Sequence, residues 1–187
     1  MKINQILLTV SLIFIHIPFT YSQARETTEL TTNWKFQKGE NELAYLSDFD
    51  DSEWEDVIIP HDWAVAGPFI QEGDGNTGKL PWKGEAWYRR SLEIPTNYKG
   101  KRIYLLFDGI MAFPTIYING QFAGKWDYGY NSFFLDVTEL INYDGENLLT
   151  IHVDTRNHDS RWYPGAGIYR KVQIIVTDKT GFEQWGT

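Results

Sequence analysis

Asn119-Gly120 stands between two short runs, Thr115-Ile116-Tyr117-Ile118 and Gln121-Phe122-Ala123-Gly124. A two-residue connection between strands requires positive φ at both central positions, which asparagine and glycine tolerate best. The pair therefore predicts an antiparallel hairpin closed by a type I′ turn. The rest of the chain agrees with a β fold. Residues 34–36, 54–59, 87–94, 102–107, 132–137, 147–153 and 168–176 read as strands, and 27–32 is polar and β-prone. Within this set, 54–59 is expected to be buried on both faces in its second half, and 87–94 alternates as a half-buried strand should. Only 137–142 is long enough for a helical turn. Short strands, short turns and almost no period of 3.6 predict an all-β antiparallel sandwich.

Composition decides which partners such a sandwich can have. The 187 residues are 42% apolar and 16% aromatic, enough for one core and too apolar for disorder. Acidic residues outnumber basic ones by 25 to 17 with no positive stripe, which argues against a phosphate backbone as partner. There is no cysteine, so stability cannot come from disulfides and cysteine-type zinc sites are excluded. Of four histidines only His152 and His158 lie near one another, and isolated histidines are the simpler reading.

The N-terminus has the order of a secretory signal: Lys2, an apolar run over 6–19 broken by Thr9, Ser11, His16 and Pro18, then the small residues Ser22 and Ala24. The run is short for a membrane span. The expected division is a signal peptide at 1–22, a sandwich over 23–180 and a linker at 181–187. Export to the periplasm or beyond, with no membrane association after cleavage, follows from that division.

Two connections stand out. Residues 60–84 form a long stretch rich in glycine and proline, of the length that is usually functional in a compact domain. Residues 157–170, Asn-His-Asp-Ser-Arg-Trp-Tyr-Pro-Gly-Ala-Gly-Ile-Tyr-Arg, combine polar and aromatic side chains with Pro164, Gly165 and Gly167, which forbid a helix and favour a tight loop held by strands at both ends.

Ile59-Pro60-His61-Asp62-Trp63, Ala86-Trp87-Tyr88-Arg89-Arg90, Tyr117-Ile118-Asn119-Gly120 and residues 160–170 together, in this order, resemble the N-terminal sugar-binding domain of glycoside hydrolase family 2, most nearly its β-galactosidase-like members. The resemblance runs from about Leu30 to the C-terminus. It implies a jelly-roll, galactose-binding-like sandwich at the start of a longer enzyme, followed by an immunoglobulin-like domain and a (β/α)8 barrel whose two glutamates hydrolyse a β-galactoside or related glycan with retention. Neither glutamate carries over, because the matching barrel is absent from this sequence, and nothing in the spacing of Asp62, Asp74, Glu85 and Asp159 marks a carboxylate pair about 5 Å apart. The chain by itself is expected to be inert. No cofactor is predicted, and a cation in the full-length enzyme is left open.

By the same resemblance, the position six residues before Gly167 reaches toward the sugar; here it is Arg161, where some members carry aspartate. A guanidinium fork suits vicinal hydroxyls or a carboxylate, and an interdomain ion pair is the alternative. Asp159 is expected either to hold Arg161 in a bidentate pair or to cap its own turn, with His158 beside it. Trp162 and Tyr163 could stack on a pyranose or pack on the barrel. Asp62, with His61 and Trp63, reads first as a buried hydrogen-bonded corner and second as a ligand site, and an exposed Trp82 is expected on a loop that reaches another domain or the pocket rim. A self-contained carbohydrate-binding module and a purely structural sandwich are the rival readings.

Overall fold

In the computed structural model, residues 25–181 and 184–186 are described; the expected signal peptide lies outside them. Ten strands form two sheets. They are β1 (Glu26–Glu29), β2 (Trp34–Lys38), β3 (Glu55–Val57), β4 (Glu85–Leu92), β5 (Arg102–Phe107), β6 (Thr115–Ile118), β7 (Gln121–Lys125), β8 (Phe133–Asp136), β9 (Asn147–Asp154) and β10 (Val172–Thr177). One sheet has the order β1-β10-β5-β8 and the other β3-β2-β4-β9-β6-β7, and every pairing is antiparallel. Single 3-10 turns at Gly75–Thr77, Thr96–Tyr98 and Thr138–Leu140 are the helical content among the described residues, and no helix there is long and apolar enough to cross a membrane.

The core follows from alternation. Trp34 and Phe36, Ala86 and Tyr88, Ile116 and Ile118, and Leu149, Ile151 and Val153 face inward from the larger sheet. They meet Ile103, Leu105 and Phe107, Val172, Ile174 and Val176, and Phe133 from the smaller one. The Asn119-Gly120 hairpin has φ of 52° and 76°, the signs of a type I′ turn. Its register shifts between Ile116 and Tyr117, which the sequence did not announce.

Three strand expectations are corrected. β3 ends at Val57, and Ile58 is 64% exposed rather than buried on a second face, because Val57 and Ile59 on either side of it turn into the core and leave it facing outward. β4 is buried on both faces over Glu85–Arg89 instead of half-buried. Residues 41–54 fold over its outer side, where Trp87 joins Ala44 and Trp54 in a second apolar cluster. The last strand starts at Val172, not Ile168; residues 168–171 remain part of the preceding connection. At the other extreme of the described chain, Trp185 packs edge-on against Phe134 with ring centroids 4.9 Å apart.

Candidate sugar-facing site

The connection 155–171 leaves β9 and returns as β10, and its backbone is stitched to two other connections. On one side the His61 and Trp63 amides donate to the carbonyls of Ile168 and Ala166 at 2.8 and 3.0 Å. On the other, Met111 and Gly167 exchange backbone bonds of 2.9 and 2.6 Å, and the Asp108 amide donates to Lys171 at 3.0 Å. The Tyr169 hydroxyl donates to the Gly129 carbonyl at 2.8 Å. Segments 61–63, 108–112 and 128–130 thus frame this loop, so a glycine- and proline-bent stretch acquires one fixed shape.

Gly167 has φ of 117°, and a Cβ there would overlap the Tyr88 hydroxyl and approach the His61 carbonyl to 2.8 Å. Tyr88 is fully buried and shares a 2.9 Å hydrogen bond with His61 Nδ1. Burial raises the Tyr88 phenol pKa well above its ordinary value and lowers that of His61, so the pair is held neutral.

Asp62 is the polar hub of this corner. Its Oδ1 accepts from the Ala64 amide at 3.0 Å and from the Tyr163 hydroxyl at 2.5 Å, and its Oδ2 accepts from the Ala166 amide at 3.1 Å. Those bonds tie Asp62 and Tyr163 into one hydrogen-bonded corner, with acceptor capacity left on Asp62 Oδ2. Burial, followed by the bond to Asp62, pushes the Tyr163 phenol pKa far up, which keeps it a proton donor.

The outer part of the loop is free by comparison. Arg161 is exposed and forms no hydrogen bond or ion pair among the described residues. Among the described residues Asp159 neither pairs with Arg161 nor caps its own turn, the two readings the sequence offered. Asp159 instead accepts from Lys83 Nζ at 2.9 Å, because the 80–84 segment runs alongside and places a cation closer than the neighbour two residues on. That bond lowers the Asp159 pKa. Trp162 is 59% exposed, and its indole N–H donates to the Tyr130 hydroxyl at 3.3 Å.

Trp82 is not on an exposed rim: it is 5% exposed and packs in the main core. Its carbonyl accepts from the Thr155 hydroxyl at 2.7 Å, which pulls the segment down onto the start of the 155–171 connection. His158 stands edge-on to both Trp82 and Phe113, at 5.8 and 6.0 Å between centroids, and burial lowers its pKa. His152 lies elsewhere, on β9 beside Glu85. A cleft of about 430 Å³ opens between Ile70, Thr77, Lys83 and Asp159. Sequence reasoning missed Tyr128 and Tyr130, whose rings are 5.6 Å apart; the recurrence Tyr-Gly-Tyr at 128–130 was the available signal.

A two-sheet sandwich with an exposed arginine and tryptophan on a braced loop can be set against known proteins. The family model for the glycosyl hydrolase 2 galactose-binding domain-like group matches residues 64–164. The chain belongs to this family. It is 37% identical to the beta-galactosidase BoGH2A of Bacteroides ovatus across 87% of its own length and 19% of the relative's. It is 28% identical to a beta-glucuronidase of Bacteroides fragilis, across 83% of its length and 21% of that protein's. Among solved structures, a glycosyl hydrolase family 2 member from Bacteroides cellulosilyticus superimposes with a TM-score of 0.80 at 32% identity, over 85% of this chain and 21% of that one. The chain thus spans about a fifth of the length of the relatives it matches.

Proposed function

We infer that these residues form the N-terminal sugar-facing domain of an exported, β-galactosidase-like glycoside hydrolase. The full-length enzyme would hydrolyse terminal β-glycosidic bonds by a retaining mechanism with two glutamates on a catalytic domain outside this chain. The domain completes the sugar pocket and braces the catalytic barrel. The observation that carries the reading is an arginine without partners among the described residues, beside an exposed indole, on a loop whose two sides are otherwise tied down. A braced loop that presents a solvent-exposed guanidinium and a flat aromatic face suits vicinal sugar hydroxyls and the apolar face of a pyranose. The exposed Tyr128 and Phe113 in the flanking connections suit packing against a following domain. The beta-galactosidase relative at 37% identity favours a galactoside, and a putative beta-glucuronidase relative at 32% makes a glucuronide the second reading.

In the full-length enzyme, Arg161→Ala should lower kcat/KM for a chromogenic galactoside ten- to a hundredfold, the worth of a charge-assisted hydrogen bond of about 1.5–3 kcal/mol. Its unfolding midpoint should stay unchanged. Unaltered kinetics would remove Arg161 from the site. The 187-residue chain alone should neither turn over the galactoside nor bind it measurably by calorimetry; tight binding by the chain alone would favour a self-contained carbohydrate-binding module instead.

A further inference from the structure

Three donors from two chain segments converge on the carboxylate of Asp62: its own neighbour's amide at Ala64, and the Tyr163 hydroxyl and Ala166 amide from the facing loop. Tyr163 and Ala166 bracket Pro164-Gly165, the bend of that loop. Arg161 and Trp162 immediately precede Tyr163, and the ties on their own side are long or exposed: the Trp162 amide to Ser160 Oγ at 3.4 Å and its indole to Tyr130 at 3.3 Å. The direction in which Arg161 and Trp162 project is therefore set mainly at the Tyr163 anchor.

We propose that Asp62 is a positioning residue of the sugar site, which fixes the presentation of Arg161 and Trp162 by clamping Tyr163 and Ala166 and does not itself touch the sugar. This rests on the reading of Arg161 and Trp162 as sugar contacts. The clamp needs a carboxylate rather than any polar side chain. An amide at this position has one acceptor oxygen; turned toward Ala64 it opposes its NH2 to the Ala166 N–H, and turned toward Ala166 it opposes it to the Ala64 N–H. Asp62→Asn, nearly isosteric, must leave one amide facing a donor.

The test uses the full-length enzyme with hydrogen exchange and steady-state kinetics on a chromogenic galactoside. In Asp62→Asn the Ala166 amide should exchange at least tenfold faster while the β4 and β9 amides keep their protection. Its kcat/KM should fall about as far as in Arg161→Ala, and the Asp62→Asn/Arg161→Ala double variant should be within about twofold of Arg161→Ala alone, the non-additivity expected of residues acting as a unit. Unchanged Ala166 exchange, or losses that multiply in full, would overturn the positioning role by itself. Silent Arg161→Ala and Trp162→Ala variants would overturn the sugar reading and the positioning role with it, even with faster Ala166 exchange. Should Asp62→Asn fail to fold, Tyr163→Phe removes one donor, leaves both amides bonded, and should move the same readouts in the same direction by less.

Discussion

Gly165 and Gly167 lie two residues apart with φ of 98° and 117°, yet their surroundings differ. A Cβ on Gly165 would find its nearest neighbours at 3.7 Å, so alanine there meets only the backbone cost of a conformation that side chains disfavour, about 1–2 kcal/mol. At Gly167 the same Cβ would overlap the Tyr88 hydroxyl and crowd Trp63, adding overpacking of about 1–3 kcal/mol. Urea unfolding should therefore rank Gly167→Ala below Gly165→Ala by at least about 1 kcal/mol; equal midpoints would mean the Tyr88 contact is not tight. Both glycines are legible in the sequence as turn formers. What makes one of them irreplaceable is a tyrosine 79 positions earlier in the chain, and no local pattern encodes so distant a contact.

The connection over 41–54 shows how an element can be legible at one end only. In the sequence, Arg89 is one of two arginines in an alternating strand, and 48–54 is an acidic turn. In the fold, Arg89 is buried beneath that turn. Its Nε donates to Asp51 at 2.7 Å, Nη1 to the carbonyls of Ala44 and Leu46 at 2.5 and 2.9 Å, and Nη2 to that of Phe49 at 3.2 Å. A guanidinium can satisfy four acceptors in one plane and an ammonium cannot, so Arg89→Lys should cost about 2–3 kcal/mol and Arg89→Ala about 3 or more. Denaturation followed by tryptophan emission would check this, since Trp54 belongs to that cover and Trp87 lies beneath it. The hairpin offers a smaller parallel. Asn119 donates through Nδ2 to the Leu140 carbonyl and to Asn147, and accepts through Oδ1 from the Leu148 amide, at 2.9, 2.9 and 2.8 Å. Asn119→Gly preserves the turn while deleting these ties, and a loss of about 1–2 kcal/mol in unfolding free energy would separate the two roles. The turn was readable from the dipeptide alone; the ties were not, because they reach residues more than twenty positions away.

At the scale of the whole molecule, the two-sheet architecture was the most legible feature, since inward alternation in most strands and the absence of helical periodicity leave few alternatives. The loop pairings were not. The acid two residues before Arg161 bonds Lys83, and an aromatic residue in a glycine-rich connection proves to be core. Such pairings depend on which connections meet at one end of the sandwich, a property of topology rather than of neighbouring residues. One consequence is collective. His61, His152 and His158 sit in three parts of the fold, and in each case burial, the largest influence, lowers the pKa below the ordinary value of 6.5. Below that value the unfolded chain takes up protons that the folded one resists, so the proton excess belongs to the unfolded state and stability falls as pH drops. Stability should thus be fully present above about pH 6.5, decline as the pH falls from there toward the lowered folded values, and level off beneath them. The lowered carboxyl pKa values of Asp50 and Asp159 act in a separate window, below the ordinary value of 3.8. Thermal midpoints taken at pH 7.5, 6.5 and 5.5 should decrease in that order, and His61→Gln should flatten the slope because Gln does not titrate. A midpoint that rises as pH falls across this range would show that the buried imidazoles bind protons more tightly in the fold, contrary to the burial argument.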